Sequence, residues 1–419
     1  MIGQSPAPQT AVRSSSGPGR LPLVVYILAL GTFLMLTTEF IVAGILPQMA
    51  DDLGVGVARA GLLITVFALG MVIGAPVMAM ATLRLPQRLT LILALVVFAI
   101  GHVIVALASN FEVLLAARFL TALATGAFWA IAGVIAARTA GAGMASRALG
   151  IVSAGGMLAT VLGVPLGAFA AHLIGWRGTF WALAIMALAA TVLIARHVPH
   201  TGAGYTAVSI RSELSALRSG RLWLALAACA TTTGGVLAAY SYIAPLLADE
   251  AGIPIGIVPL VLAGFGVGSL IGALVGGRLG DSHPHATTII APAATTMILI
   301  GICFAANSPL PLTIFVVALG LFGLGANPVL ISLALRYADH APTLGSSLTV
   351  AAFNAGTAAA TWVGGIALGT SLGSIGPVAV GAGIAVLTLI PTTALAIVAL
   401  RPIEKAAEEG TGPSSIPAG

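Results

Sequence analysis

Charged residues are scarce in this chain. Asp, Glu, Lys and Arg make up 7% of its 419 residues and the mean hydropathy is +1.10, whereas soluble domains carry about 25% charged residues. A composition this poor in charge excludes a water-soluble fold. The protein is therefore predicted to be embedded in a lipid membrane.

Lysine is almost absent. The one lysine, Lys405, lies outside any glycine-rich loop, so the chain has neither a phosphate-binding lysine nor an intramembrane lysine for a Schiff base. His, Cys and acidic residues do not cluster at metal-ligand spacing. These absences argue against an enzyme and predict no cofactor and no metal. We expect any work the protein does to be driven by an ion gradient.

Cysteine is nearly absent as well. Cys229 and Cys303 both fall inside predicted spans and offer no disulfide framework, so we interpret them as small packing residues. The sequence pI is about 9.8, but the arginines are dispersed at span ends instead of forming one patch. Membrane topology accounts for them better than a nucleic-acid partner does.

Long apolar runs recur along nearly the whole chain. A run of about 20 residues crosses the hydrocarbon core as a helix, and the runs lack the short alternation of barrel strands. An all-α membrane protein with twelve transmembrane helices is therefore predicted. The predicted spans are 22–47, 58–80, 89–108, 113–136, 148–172, 177–197, 222–247, 255–277, 287–306, 311–335, 345–368 and 376–400.

The spans divide into two six-helix bundles, 22–197 and 222–400, joined by a polar cytoplasmic linker at 198–221. Residues 1–21 and 401–419 are predicted to be disordered cytoplasmic tails. With the N-terminus inside, fourteen Arg and Lys residues lie on the inner side and only Arg59 and Arg177 lie outside. This bias predicts a multi-pass protein with both termini in the cytoplasm.

The two halves are related by an internal repeat. Shifting residues 47–77 by 198 positions gives eleven identities in 31 positions without a gap, and an offset of 201 aligns Gly155 and Gly163 with Gly356 and Gly364. About one match in ten is expected from so biased a composition. Two pseudo-symmetric bundles are typical of one transporter architecture.

Several short motifs carry a family resemblance. The segments TTEF at 37–40, AGILP at 43–47, FALGMVIGAP at 67–76 and GWR at 175–177 resemble the major facilitator superfamily. More narrowly, they are similar to its twelve-span drug:proton antiporters, the actinobacterial chloramphenicol-resistance exporters among them. The resemblance covers about residues 21–400 and implies a monomer that exchanges protons for a small-molecule drug within membrane lipid.

Residues expected to act in gating follow from the same resemblance, with departures. The family pattern after the second span has an Asp-Arg pair, but this chain has Leu83 before Arg84, with Arg88 further on; the aspartate occurs in the equivalent loop of the second half as Asp281. The first half therefore lacks its usual gating carboxylate. The antiporter motif of the fifth span survives in part as Gly163, Pro165 and Gly167, with Val164 in place of glycine.

Glu39 and Arg118 are the two charged residues predicted to lie well inside spans. Glu39 is eight residues before Pro47, and Arg118 is six after Glu112, which places them about 12 Å and about 9 Å from the outer ends. Buried charges are costly, so they face a cavity or one another. We hypothesise that Glu39 carries the proton and Arg118 is its electrostatic partner; a structural ion pair or snorkelling to the surface is the alternative.

A few polar and aromatic residues inside spans are candidates for binding the substrate. Helical spacing puts Thr125 and Trp129 on the Arg118 side of the fourth span, while Tyr240, Asn327 and Asn354 lie in later spans. An amphipathic drug is expected to bind an aromatic surface with a few hydrogen-bonding groups. Threonines that bond their own helix and aromatics that simply pack are the alternative for each.

The predicted function is proton-coupled export of chloramphenicol or a similar amphipathic drug across a bacterial cytoplasmic membrane. Export of sugars or nucleosides by the same subfamily is the alternative, although only Asn327 and Asn354 offer intramembrane amides. His102 is expected to be a core histidine, with a place in a proton route as the other reading.

Overall fold

The computed structural model describes residues 21–81, 85–141, 144–199, 216–338 and 341–409. Within these ranges the chain is almost entirely helical and contains no β-strand. The helices are α1 Leu23–Asp52, α2 Val57–Ala81, α3 Gln87–Leu107, α4 Phe111–Ala140, α5 145–174, α6 176–197, α7 Gly220–Glu250, α8 Val258–Ser282, α9 Pro284–Ala305, α10 Pro309–Tyr337, α11 Pro342–Leu368 and α12 Gly376–Glu409.

The described helices correspond one to one to the twelve predicted spans. Among the described residues, ten segments are long and apolar enough to cross a membrane. One of them, Arg147–His197, has 51 residues and would be about 75 Å long as one helix, more than twice the hydrocarbon core. Gly175, at φ 74°, breaks it into α5 and α6, because only glycine adopts this backbone conformation readily. The 27 residues of Pro342–Leu368 supply the remaining helix.

Two features of the helices differ from the sequence prediction. The last helix, α12, continues to Glu409, so residues 401–409 are helical where a tail was predicted; three Glu, two Ala and one Lys in this run favour helix. The tenth span is interrupted between Gly323 and Asn327. Residues 1–20, 200–215 and 410–419, on which most of the tail and linker predictions fall, lie outside the described residues.

The helices pack as two groups, α1–α6 and α7–α12. In the first group α2 packs on α4, α3 on α6 and α1 on α5; in the second, α7 packs on α11 and α12, and α8 on α10. The groups meet where α2 packs against α11 and α5 against α8. Under the sequence repeat α2 corresponds to α8 and α5 to α11, so these two contacts are related by the pseudo-symmetry.

The repeat extends to individual atoms. A Cβ at Gly155 of α5 would overlap the carbonyl oxygen of Ala29 in α1, and a Cβ at Gly356 of α11 would overlap that of Ala230 in α7. Adding 201 to the residue numbers converts the first contact, Gly155 with Ala29, into the second, Gly356 with Ala230. Close backbone approach at small residues is how membrane helices gain packing energy.

These two glycines give a prediction about stability. Alanine is favoured over glycine inside a helix by about 1 kcal/mol, yet we expect Gly155→Ala and Gly356→Ala to destabilise the protein by about 1–3 kcal/mol because the new Cβ meets backbone. Thermal unfolding in detergent checks this. Gly383→Ala in α12 is the matched control, since its Cβ would meet nothing within 4 Å; equal melting temperatures for all three variants would contradict the prediction.

The two arginines predicted outside are both paired. Arg59 Nη2 lies 3.2 Å from Glu112 Oε1, which links α2 to α4. Arg177 pairs with Asp52 and also donates to the carbonyl oxygen of Ala108, which links α6 to α1 and α3. Exposed ion pairs contribute at most about 1 kcal/mol each, so they align the helix ends more than they stabilise the fold.

Candidate functional site

A small cavity lies where the two halves meet. Its walls come from α1 and α2 of the first half and from α7 and α11 of the second, and the space among its atoms is about 310 Å³. The polar and aromatic residues that line it are Glu39, Phe40, Phe67, Tyr240, Ser241, Asn354 and Thr357.

Glu39 is the carboxylate of this cavity. It is partly exposed there, whereas Thr37 and Thr38 before it on α1 are buried against other helices. Among the described residues every other carboxylate lies at a helix end or in the last turns of α12. Glu39 is thus the described acidic group that a molecule in the centre of the bundle meets.

Arg118 of α4 lies behind the cavity wall. Its side chain is 1% exposed. Nη1 donates to the carbonyl oxygen and to Oγ1 of Thr38, both at 3.0 Å, and Nε donates to the carbonyl oxygen of Leu63 at 3.3 Å. The guanidinium carbon lies 4.2 Å from the centre of the Phe67 ring. Because Phe67 also lines the cavity, its ring lies between Arg118 and the space inside the cavity.

Glu39 and Arg118 are near each other without forming an ion pair. Among the described residues, no ion pair within 4.0 Å joins them, although Arg118 bonds Thr38, the residue before Glu39 on α1. Arg118 does not snorkel to the surface, since it is buried and bonded to α1 and α2. The arrangement keeps one positive charge beside the cavity and leaves the carboxylate open to it.

Two of the five predicted substrate residues line the cavity. Tyr240 is buried, stacks on Phe265 with ring centres 4.2 Å apart, and has no hydrogen-bond partner for Oη among the described residues. Asn354 donates from Nδ2 to the Val350 carbonyl oxygen at 3.0 Å, and its Oδ1 is likewise without a partner in the described part of the chain. A ligand with hydrogen-bonding groups would satisfy both atoms.

The other three predicted substrate residues lie elsewhere. Thr125 is fully buried and donates to the Thr121 carbonyl oxygen at 2.9 Å and toward Met35 Sδ at 3.4 Å. Trp129 and Asn327 do not line the cavity. The face of α4 that carries Arg118 and Thr125 packs on α1 and α2, so Thr125 lies behind the cavity wall instead of inside it.

The residues predicted to act in gating are dispersed. Arg84 lies outside the described residues. Arg88 bonds the carbonyl oxygen of Ala195 and so ties α3 to α6, and Asp281 is exposed at the end of α8. Gly163 and Gly167 pack on Thr37 and Ile41 of α1. Pro165 is buried just after the π-helical turn Ala159–Gly163, in the part of α5 that contacts α8.

On the predicted outer side, polar and aromatic contacts join the two halves. Thr65 of α2 and Thr361 of α11 bond through their hydroxyl groups at 2.8 Å. Tyr242 donates to the Thr361 carbonyl oxygen at 2.9 Å, and its ring fills the space left by Gly61 and Gly365. A Cβ at Gly61 would overlap the ring and hydroxyl of Tyr242, and a Cβ at Gly365 would overlap its hydroxyl.

Sequence reasoning missed several cavity residues. Phe67 belongs to the FALG segment that carried the family resemblance, and Thr357 lies three residues after Asn354, on the same face of α11. Ser241 follows Tyr240 directly. The three-residue spacing between Asn354 and Thr357 is the sequence feature from which Thr357 could have been predicted as a cavity residue. Among the described residues, no group of three or more His, Cys, Asp or Glu is placed to hold a metal ion.

Two similar six-helix bundles packed around a central cavity are the architecture of a class of membrane transporters. A family model described as Major Facilitator Superfamily matches residues 28–256, and the chain belongs to that superfamily.

Relatives cover most of the chain. It is 36% identical over 363 residues to a chloramphenicol resistance protein of Streptomyces lividans, covering 85% of this chain and 92% of the relative. It is 32% identical to the inner membrane transport protein YdhP of Escherichia coli strain K12, covering 86% and 93%. A bacterial homologue of the human lysosomal transporter Spinster, solved inward-facing and unoccupied, has TM-score 0.68 at 16% identity, over 90% of this chain and 95% of that one. This last likeness concerns the fold.

Proposed function

We propose that this protein exports chloramphenicol or a similar amphipathic drug from bacteria in exchange for protons. The observation that best supports this proposal is the position of Glu39 in the cavity between the halves, with the charge of Arg118 held behind Phe67. A carboxylate that contacts the substrate and is exposed to each side of the membrane in turn is able to couple substrate transport to proton transport. The substrate is suggested by the chloramphenicol resistance protein of Streptomyces lividans.

The lining of the cavity supports a largely apolar substrate. Phe40, Phe67 and Tyr240 provide aromatic surface, and Asn354 provides the amide. The alternative substrates, sugars and nucleosides, would need several amide side chains in the cavity. Asn354 lines the cavity, but Asn327 does not. A sugar needs many more hydrogen bonds than this wall offers, and each polar group buried without one costs free energy. The drug remains the better fit.

The proposed cycle is alternating access. With the predicted outer side closed by Tyr242, Thr65 and Thr361, drug enters from the cytoplasm. The halves then rock across the α2–α11 and α5–α8 contacts to release the drug outside, where Glu39 takes up a proton for the return. Gly163, Pro165 and Gly167 are proposed to provide the mobile contact on α5, and Arg84, Arg88 and Asp281 to act at the inner gate.

The energy supply is sufficient. One proton moving inward across about 100 mV supplies about 2.3 kcal/mol, which supports a concentration ratio of about fifty for a neutral solute. A pH difference adds to this. The proposal also places both termini in the cytoplasm of the bacterial cell and assigns residues 198–221 as the cytoplasmic linker between the bundles.

Expression in a drug-sensitive bacterial strain that lacks its own efflux pumps tests the function. We expect the protein to raise the tolerated concentration of a phenicol and to lower its cellular accumulation, and an uncoupler to remove both effects. The panel should include nucleoside and sugar analogues. Protection against none of the phenicols would overturn the substrate, and protection unaffected by the uncoupler would overturn proton coupling.

A further inference from the structure

His102 and Thr38 form a chain of hydrogen bonds with Arg118 that the proposed function does not use. Thr38 Oγ1 lies 2.7 Å from His102 Nε2, and His102 Nδ1 lies 2.7 Å from the carbonyl oxygen of Phe98. Arg118 Nη1 lies 3.0 Å from the same Thr38 Oγ1. The chain joins α4, α1 and α3 behind the cavity.

The direction of these bonds follows from the chemistry of their two ends. Arginine only donates and a carbonyl oxygen only accepts, so Arg118 donates to Thr38 and His102 donates from Nδ1 to Phe98. Thr38 then has one hydroxyl proton to give, and Nε2 of a neutral His102 is its acceptor. The tautomer is assigned from this network.

Thr38 differs from the other threonines of α1. Thr32 and Thr37 donate to the carbonyl oxygens of Leu28 and Phe33, four residues back, which is the usual bond of a helical threonine. The bonds of Thr38 go instead to His102 and Arg118. His102 therefore holds the Thr38 hydroxyl in the orientation that accepts from the guanidinium.

The histidine ring is itself held in place. It stacks on Phe98 with ring centres 4.0 Å apart and is tilted against Phe180 at 5.7 Å. It is 1% exposed and does not line the cavity, so it is not placed to exchange protons with a molecule there. This geometry opposes the reading of His102 as part of a proton route from the cavity.

We propose that Thr38 and His102 are positioning residues that hold the Arg118 guanidinium away from direct contact with Glu39. This inference rests on the proposed coupling role of Glu39. Nη2 of Arg118 has no hydrogen-bond partner among the described residues. Without the Thr38 hydroxyl the guanidinium keeps only its bonds to the carbonyl oxygens of Thr38 and Leu63, so it turns more easily toward the carboxylate. The direct pair would favour the ionised carboxylate and make proton uptake harder.

The charged and titratable groups around this chain are few. In the described part of the chain they are Glu39 on α1, His102 on α3, Arg118 on α4 and, across the cavity, Tyr240 on α7. The packed faces of α2 and α6 contribute Phe67 and Phe180. A change in the pH dependence of transport after substitution of Thr38 or His102 therefore reports on the placement of Arg118 relative to Glu39.

The test measures drug transport by the whole protein in proteoliposomes as a function of pH. Thr38→Val and His102→Phe keep shape but remove the bond between them. We expect each to move the pH of half-maximal transport toward acid by about half a unit or more, equivalent to about threefold in proton affinity. The apparent KM for the drug should change less than about twofold, because neither residue lines the cavity. The double variant should match either single variant.

Thr38→Ser keeps the hydroxyl and should behave as the unsubstituted protein. Thr32→Val is the matched control, because it makes the same change on α1 where the hydroxyl bonds only its own helix. An unchanged pH profile in well-folded Thr38→Val and His102→Phe overturns the inference; if these variants fold poorly, Thr38→Ser with a shifted profile overturns it instead. A Glu39→Gln variant that still couples protons to drug would remove the proposed function itself, and that result is separable from the others.

Discussion

Replacing Glu39 with glutamine is expected to abolish uncoupler-sensitive drug export while leaving a folded protein in the membrane. Glutamine has the shape of the protonated acid but neither releases nor takes up a proton, so the drug gradient loses its source of energy. We expect accumulated drug to approach the level of cells without the transporter, a loss of the ratio of about fifty that one proton supports. Cellular accumulation of labelled drug, with and without an uncoupler, measures it.

The matched control for this variant is Glu112→Gln. Glu112 is an exposed carboxylate paired with Arg59 at the rim, and such pairs contribute at most about 1 kcal/mol, so export should be retained. Export by Glu39→Gln that remained sensitive to the uncoupler would show that the proton is carried elsewhere.

Arg118→Met is expected to stop coupled export without lowering the thermal stability of the protein. Among the described residues Arg118 is in no ion pair, so the substitution breaks none, and it removes the cost of burying a charge. The carbonyl oxygens of Thr38 and Leu63 that lose the guanidinium lie within helices α1 and α2, where each is also available to its own helix. What disappears is the positive charge beside the cavity, and proton release from Glu39 depends on it in our proposal.

This second variant separates function from structure. If Arg118 served only to hold α4 against α1 and α2, the methionine variant would unfold more easily and transport would fall in proportion to the folded protein. Transport per folded molecule and the melting temperature in detergent are the two measurements. Arg59→Met, at the exposed rim, is the control and should leave both nearly unchanged; full transport by Arg118→Met would contradict the electrostatic role.

The helices could be predicted from sequence because the bilayer requires them, and the repeat could be predicted because identical residues recur at a fixed offset. A chain in lipid has to satisfy its backbone within each crossing, so apolar length alone gave the spans, and the 201-residue offset that related Gly155 to Gly356 also relates their packing partners Ala29 and Ala230. The last turns of α12 differed because a polar run of good helix formers lacks the apolar signal that marked the spans.

The site was predicted less completely than the fold. Intramembrane charge singled out Glu39 and Arg118, but depth alone did not show that Arg118 bonds Thr38 and Leu63. Neighbouring residues on a helix point about 100° apart, so Thr38 turns toward α3 and α4 while Glu39 turns to the cavity. Thr125 shares the Arg118 face of α4, and that face is packed against α1, which a single sequence does not reveal.

The central claim is that Glu39 couples drug export to proton entry, and simultaneous measurement of both fluxes tests it most directly. Purified protein in proteoliposomes would be given a drug gradient without an imposed pH gradient, and the internal pH followed with a trapped dye. We expect drug movement to drive proton movement in the opposite direction, and Glu39→Gln to show none. Drug flux by the unsubstituted protein with no accompanying proton flux would contradict the account.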